Sequence, residues 1–253
     1  MANSIDPVAR TQIIGRIVEQ QILNQPRSLQ RRIGPSEIGN PCDHCLAARL
    51  AGWDKHEVET PWMTVIGTSV HAWLEAAFQR LQENQPPSER RFLTEARVMV
   101  GQIDGQDIWG STDLVDLDGR MTIDWKVVGD NSLGKYKAGP STVYRTQAHL
   151  YAKGWNDAGV PIEFVAICFL PRNKQLRHGY WWCEEYQPQI ALDALARATT
   201  MAKTLKAIEQ AAGEDVRDHW ITTLPRYADC WDCKRYADKP PPTDPLGLGL
   251  TAA

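Results

Sequence analysis

Two Cys-x2-Cys pairs, Cys42–Cys45 and Cys230–Cys233, stand near opposite ends of a 253-residue chain. Sharing one site would close a loop over nearly the whole sequence, so any fold built between them must bring its ends side by side. Two such pairs make a four-thiolate set, and tetrahedral sulfur ligation suits zinc or an iron–sulfur cluster. The other two cysteines, Cys168 and Cys183, lie in the strand-like runs AICFL and YWWCEEY and read as small buried hydrophobes. The N-terminal MANSIDPVARTQ has no signal-peptide core, and no apolar run approaches the length of a membrane span. A cytoplasmic protein without a membrane partner is expected, with cysteines that serve as thiols or metal ligands rather than disulfides.

Between the pairs there is room for one large domain or two small ones, and ten tryptophans supply a real core. The net charge of −3 excludes a generally basic nucleic-acid binder, so contact with DNA must come from a local patch. Helical spacing marks residues 6–24, where Asp6 and Pro7 suit an N-cap and first turn. Arg27, Arg31 and Arg32 follow as a small basic cluster. Pro35-Ser36-Glu37 reads as a helix start, and Cys42–Cys45 opens a second helical stretch through Leu46, Leu50 and Trp53. Residues 64–83 carry a strong helical pattern, with Val70, Trp73, Leu74, Ala77, Phe78 and Leu81 on one face. His71 and Glu75 are four apart and therefore share a side of that helix.

Residues 95–103 and 108–117 read as strands. Gly110 to Lys126 then reads as a hairpin turned by Asp118-Gly119, with Leu114, Val115 and Leu117 before the turn and Met121, Ile123 and Trp125 after it. Asp124 and Lys126 are two apart and project from the same strand face. With Asp113 they bring two acids and a lysine together, a set that suits a hard divalent cation with a cationic group beside it. Residues 129–140 read as a loop bearing Lys135 and Lys137. A helix over about 141–157 places Tyr144, Gln147, Ala148 and Tyr151 in one stripe. Strands over 162–170 and 179–186, a long helix over about 188–211 and a Pro/Gly-rich end that reads as disordered complete the chain.

The order is a cysteine near the N-terminus, then G-x3-H-x3-E (Gly67, His71, Glu75), Asp113, D-x-K (Asp124, Lys126), Q-x3-Y (Gln147, Tyr151) and a C-terminal cysteine pair. This resembles the RecB-like branch of the PD-(D/E)XK nuclease superfamily, nearest the CRISPR-associated and phage-encoded exonucleases with a cysteine-bound metal. The resemblance spans roughly residues 36–236. It implies an α/β fold with a restriction-endonuclease-like core, a central mixed β-sheet of four or five strands flanked by helices, and a helical cysteine-stapled cap. The corresponding units are an N-terminal helical region (1–63), the nuclease core (64–212), a C-terminal cysteine segment packing on the N-terminal region (213–239) and a tail (240–253).

The implied activity is metal-dependent DNA exonucleolysis in recombination, repair or phage DNA processing. Its substrate would be DNA with a free end or single-stranded DNA, with a recombination protein or a second copy of the chain as partner. Asp113, Asp124 and His71 would bind Mg2+ or Mn2+, Lys126 would orient the attacking water, and Glu75 would support the site from behind or through water. Gln147 and Tyr151 would hold the DNA end, beside Lys135 and Lys137. The resemblance favours a 4Fe-4S cluster at Cys42, Cys45, Cys230 and Cys233, although iron–sulfur members place one cysteine before the core and three after it. The two-and-two spacing here fits Zn2+ as well. A structure- or sequence-specific endonuclease, or a non-catalytic DNA-binding module, stays open beside the exonuclease.

Overall fold

A computed structural model describes residues 7–23, 33–56, 62–228 and 230–241. The basic cluster at 27–32, Asp6 and the tail from 242 lie outside the described residues. Among the described residues one five-stranded sheet runs in the order β1 (Phe92–Ile103), β2 (Gln106–Asp116), β3 (Met121–Val128), β4 (Phe164–Pro171) and β5 (Tyr180–Glu185). Neighbours are antiparallel except β3 and β4, so the sheet is mixed, as expected. A parallel step needs a crossover, and here it runs through α5 (Asp130–Tyr136) and α6 (Thr142–Asp157). Ser141 caps α6 by accepting the Tyr144 N–H on its hydroxyl.

Helices lie on both sides of the sheet. On one face α6 and α7 (Pro188–Ala212) bury Val100, Val115, Ile167 and Phe169 against Leu150, Trp155 and Leu195. Each such side chain contributes about 1.5–3 kcal/mol of hydrophobic stabilisation. On the other face α4 (Trp62–Leu81) sets Val70, Leu74 and Phe78 over Leu114, Ile123 and Trp125. The six-residue apolar face expected for this helix is narrower in the structure. Trp73 is 65% exposed and Leu81 68%, because a single helix meets the sheet along one stripe.

Three local readings of the sequence need correction. The span 129–140 contains a helix, α5, anchored by buried Leu133 and by Tyr136 stacked 4.4 Å from Phe169. It is too short to show a period. Asp118-Gly119 is not a two-residue turn, since the connection occupies four residues, 117–120, with Arg120 at φ 47°. The tight Asp-Gly turn is Asp104-Gly105, with φ of 47° and 78°, joining β1 to β2. Finally, Cys168 is buried but Cys183 is exposed on β5, so only Cys168 is a core side chain.

The segments 33–56 and 213–241 meet beside the sheet. α2 (Pro35–Ile38) and α3 (Asp43–Leu50) pack against α7 and α8 (Glu214–Thr223). Cys42, Cys45, Trp53, Leu205, Ile221 and Tyr236 form a separate apolar cluster there. Backbone bonds stitch the ends together: His56 N–H donates to Arg235 O at 2.8 Å, and His44 N–H to Pro225 O at 3.3 Å. The first helix, α1 (Pro7–Leu23), forms as its spacing predicts and leaves Ile14, Ile17 and Val18 exposed.

Candidate active site and four-cysteine centre

The site grows out of a fork in the sheet. β2 and β3 pair only through Leu114–Asp116 and Met121–Ile123. Beyond that, β2 continues beside β1 and β3 beside β4. Asp113 and Asp124 are the next residues in register, one on each side of the opening. A backbone donor at a fork loses its ladder partner and needs another. Asp113 supplies it: its Oδ2 accepts the Trp125 N–H at 2.7 Å. That bond pins the carboxylate and leaves Oδ1 facing His71 on α4, with Nδ1 at 3.2 Å.

Across the fork, Lys126 Nζ lies 2.5 Å from Asp124 Oδ2 and donates to Gln147 Oε1 at 3.2 Å. The ammonium also sits 4.8 Å from the centre of the Tyr144 ring, a cation–π contact. A carboxylate, an amide and an aromatic face thus hold a long, flexible side chain in one position.

Glu95 completes the group, and nothing in the sequence singled it out. The β1–β2 register puts it opposite Asp113, between the pairs Thr94–Leu114 and Ala96–Thr112. Its φ is 45°, a left-handed conformation that costs a glutamate on the order of 1–3 kcal/mol. Ser111 Oγ donates to its carbonyl at 2.9 Å. Glu95 Oε1 comes within 3.8 Å of His71 Nδ1, and His71, Glu95 and Asp113 offer ligand atoms within 4.8 Å of one another. Two acids directly opposite on neighbouring strands repel each other, so the arrangement asks for a cation.

The titration behaviour points the same way. Burial alone would lower the His71 pKa, yet the Asp113 and Glu95 carboxylates beside it and the Asp113 and Asp124 charges push it up to about 9. Burial raises Asp124 to about 6, the Asp113 charge adding and Lys126 opposing. His71 Nδ1 and Asp124 Oδ2 are buried without an aligned hydrogen bond among the described residues. Buried polar atoms are nearly always satisfied. That nitrogen and that oxygen, beside the Asp113 and Glu95 carboxylates, fit a divalent cation such as Mg2+ or Mn2+.

The remaining sequence candidates fall elsewhere. Glu75 accepts from Gln79 Nε2 at 3.0 Å, one turn beyond His71 and outside the group of three. Tyr151 is 6% exposed and packs in the main core, where a Cβ on Gly110 would meet its ring at 2.7 Å. That leaves it no open face for stacking on a base; of the two tyrosines in the α6 stripe, Tyr144 is the one that reaches Lys126. Lys135 and Lys137 are exposed at the end of α5.

The cysteines converge as their spacing expects. Cys42 Sγ lies 3.4 Å from Cys233 Sγ, and Cys45 Sγ lies 3.5 Å from both Cys230 and Cys233. All four sulfurs lie within 4.8 Å of one another. Cys42 is the N-cap of α3 and Cys45 sits in its first turn, where the helix dipole favours thiolate. Burial pushes the Cys45 thiol up and Cys233 up to about 12. Burial also acts to raise Cys42, but backbone N–H groups at Tyr227 and Cys45 and the neighbouring thiols bring it below its usual value. His44, fully buried, places Nδ1 3.8 Å from Cys45 Sγ and Nε2 3.6 Å from Asp238.

No protein-family model matches the chain, and no curated protein matches it. Several solved structures are similar. The alkaline exonuclease LHK-Exo of Laribacter hongkongensis shares 12% identity at a TM-score of 0.47, over 71% of this chain and 90% of that one. LHK-Exo in complex with dAMP gives 13% identity, a TM-score of 0.48 and the same coverage. A phage-related exonuclease from Haemophilus somnus shares 10% identity at a TM-score of 0.36, over 70% of this chain and 94% of that one.

Proposed function

We propose that the chain is a metal-dependent deoxyribonuclease that degrades DNA from its ends, in recombination, repair or phage DNA processing. The observation that carries this reading is the fork itself. Asp113, Glu95 and His71 offer ligand atoms within 4.8 Å of one another, His71 Nδ1 has no aligned hydrogen bond among the described residues, and Asp124 stands across the fork beside a restrained lysine. These four residues would hold Mg2+ or Mn2+. Bound there, a divalent cation supplies Lewis-acid polarisation of the phosphate and makes a water nucleophilic near neutral pH.

The chain's own groups supply the rest. Lys126, held by Asp124 and Gln147, directs its N–H groups toward attacking water and offsets charge on the phosphate oxygens. Gln147 fixes that direction. Asp113 spends one oxygen on the Trp125 N–H, so its other oxygen keeps one orientation. Lys135 and Lys137 neutralise DNA phosphates from the exposed end of α5, and so contribute to affinity without reading sequence. The four cysteines hold a second metal that does not touch the substrate.

Linear duplex, linear single-stranded and covalently closed circular DNA, each incubated with Mg2+ or Mn2+, test the reading. Loss of both linear forms with the circle spared is expected. A nicked or linearised circle would make the enzyme an endonuclease, and no cleavage of any substrate would sink the nuclease reading.

A further inference from the structure

We propose that Cys42, Cys45, Cys230 and Cys233 hold a single tetrahedral zinc ion, and that the site does not accommodate the 4Fe-4S cluster of the iron–sulfur nucleases the chain resembles. The inference does not depend on the nuclease reading, because it concerns residues remote from the fork in function and is read by metal content. The first argument is distance. A zinc–thiolate bond of about 2.3 Å sets neighbouring sulfurs of a regular tetrahedron about 3.8 Å apart. Three of the separations here are 3.4, 3.5 and 3.5 Å, and all four sulfurs lie within 4.8 Å. They need to spread by only a few tenths of an ångström to receive one ion.

A cubane imposes a different geometry. Each of its four irons takes one thiolate on its outward side, with the whole inorganic core between the sulfurs. The thiolates must then stand well beyond the separation of two ligands on one ion. On the α3 side such spreading is blocked by packing. Cys42 is 0% exposed and Cys45 2%, packed with Ala47, Ala48, Trp53 and Tyr236. Moving Cys230 and Cys233 outward would pull on the backbone bond from His56 to Arg235 and on that from His44 to Pro225.

In each pair the second cysteine follows three residues after the first, Cys45 in the first turn of α3 and Cys233 at the start of a 3-10 turn over Cys233–Arg235. A lone iron would satisfy the same tetrahedron, but divalent affinity for such a site rises from Fe2+ to Zn2+. Zinc has no redox chemistry, so the metal itself does not change oxidation state in oxygen.

The test is metal and acid-labile sulfide analysis of the full chain, purified with and without oxygen from medium supplying both iron and zinc. One zinc per chain, no labile sulfide and a colourless protein under both regimes are expected. Exchange with Co2+ should give the intense visible bands of tetrahedral cobalt–thiolate in the wild-type protein, which keeps the proposal testable if cysteine variants fold poorly. Cys42→Ser and Cys230→Ser should each lose the zinc. A brown protein with iron and sulfide, one iron without sulfide, a metal-free chain, or zinc retained in both variants would each overturn the proposal.

Discussion

The fork and the cysteine clamp each gather ionisable side chains around a small volume, but they do so by opposite means. The clamp draws soft sulfur donors from positions up to 191 residues apart, buries Cys42 and Cys45 in an apolar cluster and packs Cys230 and Cys233 against it. The fork draws hard oxygen and nitrogen donors from three strands and one helix, leaving several of them strained or unsatisfied. A site that only holds the fold together gains from burial and complete ligation. A site that must exchange its cation and admit a phosphate keeps unmet bonding capacity and pays in stability. The comparison therefore predicts separable losses: changes at the fork should remove activity and spare the fold, and changes at the clamp should do the reverse.

The largest effect is expected at Lys126. Lys126→Ala should lower the cleavage rate roughly 10²–10³-fold or more, as loss of a positioned charge-stabilising donor does. The melting temperature should stay within a few degrees of wild type. Cleavage at the wild-type rate would show that the fork is not the active site.

The next effect is on stability. A cross-link between residues 191 apart stabilises by about 5 kcal/mol in chain-entropy terms. For a chain of this size Cys230→Ser should lower the melting temperature by about 10–20 °C. The affinity of the remaining folded protein for Mn2+ should not change, and calorimetric titration below the melting point measures it. A loss of Mn2+ binding equal to the loss of stability would show that the clamp and the fork are one unit.

Much of both regions was legible in the sequence, and the exceptions have physical causes. A two-residue spacing put Asp124 and Lys126 on one strand face, while helical period put His71 beside Glu75, of which only His71 joins the group at the fork. The cysteine pairs carried their own pattern. Glu95 was hidden by a bulge. Counting back from the Asp104-Gly105 turn pairs Ile103 with Gln106, and on that register Ala96 would face Asp113. The shift between Met99 and Gly101 moves the partner to Glu95. Gly101 has φ 151°, and a Cβ there would meet Leu195 Cδ1 at 2.6 Å, so the bulge depends on a long-range packing contact. Tyr151 and Tyr144 share one helical stripe, yet Tyr144 reaches Lys126 while Tyr151 enters the core. No local period carries that information.

Glu95 gives the sharpest test of the idea that the fork trades stability for ligation. Asparagine tolerates left-handed backbone far better than glutamate and carries no charge to oppose Asp113. Glu95→Asn should therefore stabilise the metal-free protein by about 1 kcal/mol, some 2–4 °C in melting temperature. The same variant should bind Mn2+ more weakly and cleave more slowly at subsaturating metal. A variant both less stable and unchanged in metal affinity would mark Glu95 as structural.

The remaining comparison is the pH dependence of the fork without its cation. The His71 pKa stands at about 9 in the folded protein, against a usual value of 6.5. Its protonated form therefore favours folding. That contribution is complete below about pH 6.5 and is lost as pH rises through 9. Asp124, raised from 3.8 to about 6, has the same sign over a lower window, contributing most below pH 3.8 and losing its contribution by 6. Metal-free protein should accordingly lose a few degrees of melting temperature between pH 6.5 and 9. A cation bound through His71 must displace its proton, so Mg2+ affinity should rise about tenfold per pH unit across that window and level off above 9. The thermal shift produced by Mg2+ should grow in parallel. In His71→Gln both slopes should vanish while the cysteine clamp keeps its metal. A Mg2+ affinity that is flat from pH 6.5 to 9 in the wild-type protein would remove His71 from the ligand set and leave the carboxylates to bind the cation alone.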